Sequence, residues 1–489
     1  MSQIFRRIPA FLFILFLILN SAQAEEIPEE RVDPTCTEPG YVIQWINGVA
    51  VTKTVPAAGH QFCEWTEDGN SGLQIRSCSV CGKTETRRVL TAKEKAIPAI
   101  MLQGDVDQAD KKALILTDCT YSDGEDRFNC YAVISTQGHS TLELEKHNYT
   151  IRLYDDPAGH DKHKITFPGW QREHKYILKA NYDDPSHARN ITASRIWKSM
   201  AATRRNLDSR IAALPTLGTV DGFPVSLWIN GEFAGLYTLN LHKDDDLFGM
   251  KKGKKEILLI CNAQTSDEAL FRAPAVLDRD GENDWEVEFS GLDDWTWAAE
   301  SFNSLIRFLG TADDDEFRTR IGEYLDTDGA IDYLIFIYAL GLQHSGAKDL
   351  IMASYGGIWI PSAFDMDEAF GLDAAKGRFM DPETDFLPSP DDPAKLSGTG
   401  SLLWDRLLQC FLPEIRERYS ALRQDVLAKE NLLQTVHGFT DRIPSSLSEW
   451  DEELYPGRTF TREEMTEQTE QWIQRRMTAL DAAIGGTQE

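Results

Sequence analysis

Strand-forming and helix-forming segments are segregated along this chain, and that segregation limits its possible folds more than any other feature. Between about residues 110 and 241, "KALILTD", "RFNCYAVIST" and "YTIRLYD" combine β-branched or aromatic residues with partial alternation, the pattern of strands with one buried face. "FPVSLWINGEFAGLYTLNL" adds two strands joined by Asn230-Gly231, a dipeptide suited to a tight hairpin turn. One helix interrupts them, beginning near Ser186 in "HARNITASRIWKSMAATRR". From about residue 294 the pattern becomes helical in "DDWTWAAESFNSLIRFL", "DDEFRTRIGEYL" and "GAIDYLIFIYALGL". The hairpin "MASYGGIWIP" breaks the run, and helices from 401 to 483 follow. A sheet-rich half feeding a helical half predicts an α+β domain of two lobes.

The first 24 residues carry Arg6 and Arg7, then an apolar run, then Ala22-Gln23-Ala24. This is the three-part plan of a secretory signal peptide, so residues 1–24 are expected to be removed and the chain to be secreted or displayed at the cell surface. No later segment is apolar for long enough to span a bilayer. Loss of the two arginines leaves 48 Lys+Arg against 78 Asp+Glu, a formal charge of −30. Such a chain repels nucleic acid and anionic membrane unless a basic patch is hidden in it.

The eight cysteines divide the chain. Cys36, Cys63, Cys78 and Cys81 crowd a polar stretch, residues 25–92, which has few long apolar runs. There His60-x-x-Cys63 precedes Cys78-x-x-Cys81-Gly by "SGLQIRS", the layout of a small zinc ribbon with His60, Cys63, Cys78 and Cys81 as ligands. Disulfides among the same cysteines are the equal alternative outside the cell. Cys119 and Cys130 bracket "CTYSDGEDRFNC", where a disulfide would close a hairpin, while Cys261 and Cys410 read as buried free thiols. "LTAKEKAIPAI", residues 90–100, reads as a linker into the large domain of residues 96–485.

"PSAFDMDEAFG" places Asp365 and Asp367 one residue apart behind the apolar "GGIWI". In an extended chain, alternation sends both carboxylates to one face, where they repel unless compensated. A hard divalent cation such as Mg²⁺ would compensate them; a turn whose backbone N–H groups bind each carboxylate is the other reading.

Several stretches together resemble the spore-coat-protein-H (CotH) kinase family, in order from about residue 100 to 485. "QGHSTLELEKHNYTIRLYD" resembles its Gly-Asn-Ser-Ser loop and lysine-bearing strand. "ILKANYDDPSHARNITASRIW" resembles its "LLANYxDxSxxRN" stretch, "VSLWINGEFAGLYTL" its hairpin, and "FDMDEAFG" its Trp-Asp-x-Asp-x-x-x-Gly signature, with Phe364 in the Trp position. The amino-terminal segment also resembles the short Cys/His repeats of bacterial surface proteins, with the first Cys-x-x-Cys missing and the ligand set open among Cys36, His60, Cys63, Cys78 and Cys81.

The resemblance implies an atypical protein-kinase-like domain using ATP with Mg²⁺ or Mn²⁺, phosphorylating Ser or Thr of a protein partner. Such chemistry needs a lysine on the phosphates, acidic metal ligands and a group that accepts the hydroxyl proton. By motif, Gly138, Ser140 and Thr141 would form the phosphate-facing loop, Lys146 the phosphate lysine, and Arg152 a second basic group. Asp365 would be the metal aspartate, supported by Asp367. In "LQHSGAKDLIMASY", His344 or Ser345 stands near the family's basic Asp, with His344 able to accept a proton, and Asp349 stands where a metal-binding Asn is usual. Gln137, His139 and Leu241 replace the family's Arg, Asn and Glu. Those departures imply the alternative of a catalytically inactive surface or extracellular binding protein.

Overall fold

The computed structural model describes residues 30–46, 49–67, 73–111, 114–138, 140–388 and 399–484. The predicted signal peptide lies outside them, as does His139. Among the described residues no helix is long and apolar enough to cross a membrane. The chain divides into two compact units, Met1–Leu90 and Thr91–Glu489.

The first unit holds two small antiparallel sheets. One pairs Glu30–Val32, Gly40–Ile46 and Val49–Val55; the other pairs Thr66–Glu67, Leu73–Ser77 and Thr84–Arg88. Its side chains are mostly exposed, and Cys36 and Cys78 are its buried apolar residues among those described.

In the second unit, seven strands close a barrel: β1 (Ala99–Gln103), β2 (Ile115–Ser122), β3 (Arg127–Gln137), β4 (Asn148–Tyr154), β5 (Lys175–Lys179), β6 (Gly222–Ile229) and β7 (Glu232–Leu241). The order around the barrel is β4-β5-β7-β6-β1-β2-β3, and only β6–β1 is parallel. The β6–β7 turn is Asn230-Gly231 with φ of 52° and 84°, the primed geometry that matches strand twist. A second sheet runs in the order β9-β10-β8-β11-β12, from β8 (Ile257–Cys261), β9 (Leu277–Asp278), β10 (Trp285–Ser290), β11 (Leu350–Ser354) and β12 (Trp359–Ala363).

The main helices are α1 (Arg189–Ala202), α2 (Thr296–Thr311), α3 (Asp314–Arg320), α4 (Thr327–Leu340), α5 (Leu402–Cys410), α6 (Leu412–Arg423), α7 (Lys429–Thr440), α8 (Ser445–Leu454) and α9 (Arg462–Ala483). Asp326 caps α4 by accepting from the Gly329 N–H, and Gly341 at φ 68° ends it. Nearly every α4 side chain between them is buried, which is why "GAIDYLIFIYAL" is apolar on all faces. It runs through a core containing Trp197, Trp285, Phe302, Trp359 and Trp404. α9, amphipathic and opened by the Thr461/Glu464 capping box, lays Trp472 and Met477 on that core.

The α+β expectation holds, with four differences. The linker "LTAKEKAIPAI" is structured: Thr91 and Glu94 form a capping box on a helical turn, and β1 begins at Ala99. Strands β1, β5, β8 and β10 are short; β5 and β8 are buried on both faces and do not alternate, while β1 and β10 alternate in burial over too few residues to give a strong pattern. α1 starts at Arg189, three residues after Ser186, because Asp184 holds the intervening turn. Cys119 and Cys130 face each other across β2–β3, but as buried free thiols; the ladder alone sets the hairpin's register. Cys261 and Cys410 are buried and free, as expected.

Candidate active site

The β11–β12 hairpin delivers the aspartates. β12 ends at Ala363, and Asp365 adopts φ 50°, a left-handed conformation that is uncommon for a residue with a Cβ. The chain therefore turns there, burying Met366 completely and directing Asp365 and Asp367 to one cation. That cation is Lys179, at the end of β5: its Nζ donates to Asp365 Oδ1 at 2.6 Å and lies 3.5 Å from Asp367 Oδ2. Asn190, in the first turn of α1, donates to Asp365 Oδ1 at 3.4 Å and accepts from the Met366 N–H at 3.3 Å. Asp349, at φ 64°, is a second left-handed residue, held by its N–H on the Cys261 carbonyl at 2.8 Å. Strain of this kind, about 1–3 kcal/mol per residue, persists where surrounding contacts over-determine it and is concentrated at functional sites.

Negative charge exceeds positive charge here. Burial, reinforced by Asp365, pushes the Asp349 carboxyl well above its ordinary value and Asp367 to about 7. Burial acts the same way on Asp365, but the Lys179 charge and hydrogen bond outweigh it and keep Asp365 low. Asp183 is also raised, by burial and then by Glu368, with Lys179 opposing. The Asp365 and Asp367 side chains remain 32% and 43% accessible, so their oxygens stay within reach of a ligand.

The predicted phosphate loop is tied to this centre through one side chain. Gly138 has φ 117°, and a Cβ there would collide with the Thr141 hydroxyl, so glycine is required. Ser140 opens the 3-10 turn Ser140–Glu143. Asn148 donates to Thr141 Oγ1 at 3.4 Å and accepts from the Ala180 N–H at 2.7 Å, which sets the loop beside the residue following Lys179.

Lys146 lies elsewhere. It is fully buried, with Nζ 2.7 Å from Asp451 of α8 and bonded to the Leu236 carbonyl. Asp451 also accepts from the Leu236 N–H at 2.8 Å and from Arg458 at 2.8 Å, and lies 3.4 Å from His187 Nε2. Arg152 is half-buried opposite Lys175 on β5. His344, in a 3-10 turn after α4, places Nδ1 2.8 Å from Glu368 Oε2, three residues past Asp365. Leu241 is buried on β7 opposite Tyr176. In the first unit, Cys63 is exposed, and Cys36 stands with His60, Cys78 and Cys81 in its place.

The signature's glycine has a packing reason. Gly371 has φ 72°, and a Cβ there would enter the Trp472 ring of α9. Arg189, buried beside Asp184, donates to the Ala369 carbonyl and to Gln468 Oε1, and Gln468 donates to the Phe370 carbonyl. The turn carrying Asp365 is thus clamped between α1 and α9.

The family model described as CotH kinase protein matches residues 134–480, a span covering β4 through α9 and every residue of this centre. The chain belongs to the CotH kinase family. A comparison with curated proteins gives no match.

Kinase-like CotH chemistry calls for ATP and a divalent metal, and the donor set suits the metal. Its groups are hard carboxylate oxygens with too little positive charge around them. Among the described residues, no trio of carboxylates brings its oxygens within 4.8 Å of one another. Asp365 and Asp367 are a set that suits a metal such as Mg²⁺, which takes one or two carboxylates and leaves other positions to water and phosphate. Lys179, the lysine at this CotH centre, is missed by motif matching. The available signal is its place at the end of the strand "KYILK", immediately before the "ANYDDPS" turn.

Proposed function

We propose that this CotH-family chain is an exported protein kinase that transfers the terminal phosphoryl group of ATP to a serine or threonine hydroxyl of a protein partner. The observation that carries the reading is the convergence of Lys179, Asp365 and Asp367, with Asp349 beside them, on strained backbone fixed from two sides. Asp365 and Asp367 would hold the Mg²⁺ or Mn²⁺, with Lys179 against the phosphates and Asp349 adding negative charge beside them. When bound, the metal–nucleotide supplies the transferable group and the charge that the acid cluster lacks. Thr141, held by Asn148 next to Ala180, brings its turn beside the same centre. His344, oriented at Nδ1 by Glu368, offers Nε2 to accept the proton of the incoming hydroxyl. Export rests on the signal-like residues 1–24, and a protein partner on the resemblance to the kinase family.

Incubating the purified chain with labelled ATP and Mg²⁺ or Mn²⁺ tests this. Label should appear on the chain or on a Ser/Thr acceptor and vanish in Asp365→Asn. The absence of both transfer and metal-dependent nucleotide binding overturns it.

A second reading, a catalytically silent CotH-like binding protein at the cell surface, is favoured by one observation. The lysine in the family's phosphate-binding position, Lys146, is committed to Asp451 and closed to any ligand. Nucleotide binding without transfer, or no binding at all, would favour it.

A further inference from the structure

We propose that the first unit holds one zinc ion on Cys36, His60, Cys78 and Cys81, and that this ion is its core. Among the described residues these four are the ones whose ligand atoms gather, all within 4.8 Å of one another. They come from three separate places. Cys36 sits in the turn between Glu30–Val32 and Gly40–Ile46, His60 between the two sheets, and Cys78 and Cys81 in the hairpin between Leu73–Ser77 and Thr84–Arg88. An ion bound there fastens one sheet to the other.

The spacing is that of a tetrahedron. Zinc–sulfur bonds of about 2.3 Å at tetrahedral angles separate two thiolates by roughly 3.8 Å. Cys36 Sγ and Cys78 Sγ are 3.7 Å apart, and Cys81 Sγ is 3.3 Å from His60 Nδ1. The surroundings are arranged for ligation. The Gln61 N–H donates to Cys78 Sγ at 3.3 Å, a bond that favours a thiolate. Gly82, at φ 72°, turns the Cys78–Cys81 knuckle through its N–H on the Cys78 carbonyl. The Cys36 turn is anchored by the Ala58 N–H on the Thr35 carbonyl, two residues before His60.

Disulfide chemistry fits this group poorly. Three thiols surround one point, so a single bridge leaves one thiol and the imidazole without a role, whereas a metal employs all four. Binding displaces three thiol protons to solvent, and Zn²⁺ with three thiolates and neutral His60 carries a net charge of −1. The need is evident from burial, since the unit's buried apolar residues among those described are the ligands Cys36 and Cys78 themselves. A small unit without a core requires a metal or disulfides to fold.

Cys63 supplies the control. It is exposed and outside the cluster, although its sequence position beside His60 suggests a ligand. Elemental analysis of the full purified chain should find one zinc, retained in Cys63→Ser and lost in Cys36→Ser. Loss in Cys63→Ser with retention in Cys36→Ser overturns the ligand set. Because Cys36→Ser could fail to fold, the unmutated chain reconstituted with Co²⁺ gives a second readout. Tetrahedral d–d absorption with thiolate charge transfer supports the site. A metal-free chain whose Cys36, Cys78 and Cys81 resist thiol reagents until reduced overturns it in favour of disulfides.

Discussion

Lys179 and Asp365, 186 residues apart in the sequence, meet at 2.6 Å where the end of β5 faces the turn after β12. This pair, and not Lys146, is the cation–carboxylate contact at the proposed phosphate site. Lys179→Met should therefore abolish metal-dependent nucleotide binding and lower transfer by at least ~10²-fold. Equal activity in wild type and Lys179→Met would dismiss the assignment.

Lys146→Met should act on folding. Removing one partner of a buried ion pair strands the other charge, at a cost of about 3–5 kcal/mol. Asp451 would still accept from Leu236 and Arg458, so the lower end of that range is expected. Chemical denaturation of Lys146→Met, Asp451→Leu and the double variant gives the coupling; the double variant should be less impaired than the sum of the singles.

Asp367 gives the metal response a pH dependence. It keeps its proton up to about 7 in the fold but only through the ordinary carboxylate range when unfolded. Its stabilising contribution is therefore complete below about pH 4 and is lost as pH rises through about 7. The gain in thermal midpoint on adding Mg²⁺ should grow across that window, as the deprotonated carboxylate becomes available. Asp367→Asn should flatten the trend; a gain independent of pH in the unmutated chain would contradict it.

His187 works in the opposite sense. Burial pulls its imidazole down to about 4, against the pull of Asp451, and the neutral ring lies between Asn181 and Asp451. The unfolded chain binds this proton more readily, so stability falls as pH drops from about 6.5 to about 4, by at most ~1.4 kcal/mol per pH unit. The stability difference between wild type and His187→Gln, followed by urea unfolding, should shrink over that interval.

Gly371→Ala should destabilise by at least about 2 kcal/mol, because it combines overpacking against Trp472 with a left-handed backbone. A wild-type melting temperature would count against the clamp between α9 and the aspartate turn.

What could be read from the sequence follows the range of the forces involved. Asn230-Gly231 is local, set by turn chemistry, and it was legible; α4 was legible as a helix from its apolar run, but its start at Thr327 and its end at Leu340 were not. Asp365 and Asp367 were legible because an apolar strand, two acids and a glycine lie within a few residues. Lys179 was not, since a strand-end lysine becomes a site residue only through a partner 186 positions away. Lys146 illustrates the converse: a motif identifies a lysine on a strand approach but not the α8 aspartate that engages it. Cys36 and Cys63 are equivalent by type, and only the closure of two sheets distinguishes them.

The Lys146–Asp451 pair also sets a schedule. Asp451 follows Lys146 by 305 residues, so at a synthesis rate of about 5–20 residues/s the lysine exists for roughly 15–60 s before its counter-charge is made. The barrel's sequence is complete once Leu241 is made, 210 residues before Asp451, yet the lysine at the approach to β4 still lacks its carboxylate. Until α8 arrives, the Leu236 carbonyl on β7 is a partner that the finished barrel already offers Lys146, and sealing the lysine in as a cation is disfavoured. A chain whose synthesis stops short of residue 451 keeps the whole barrel but lacks the carboxylate that pairs Lys146, so its barrel is less stable than the finished one.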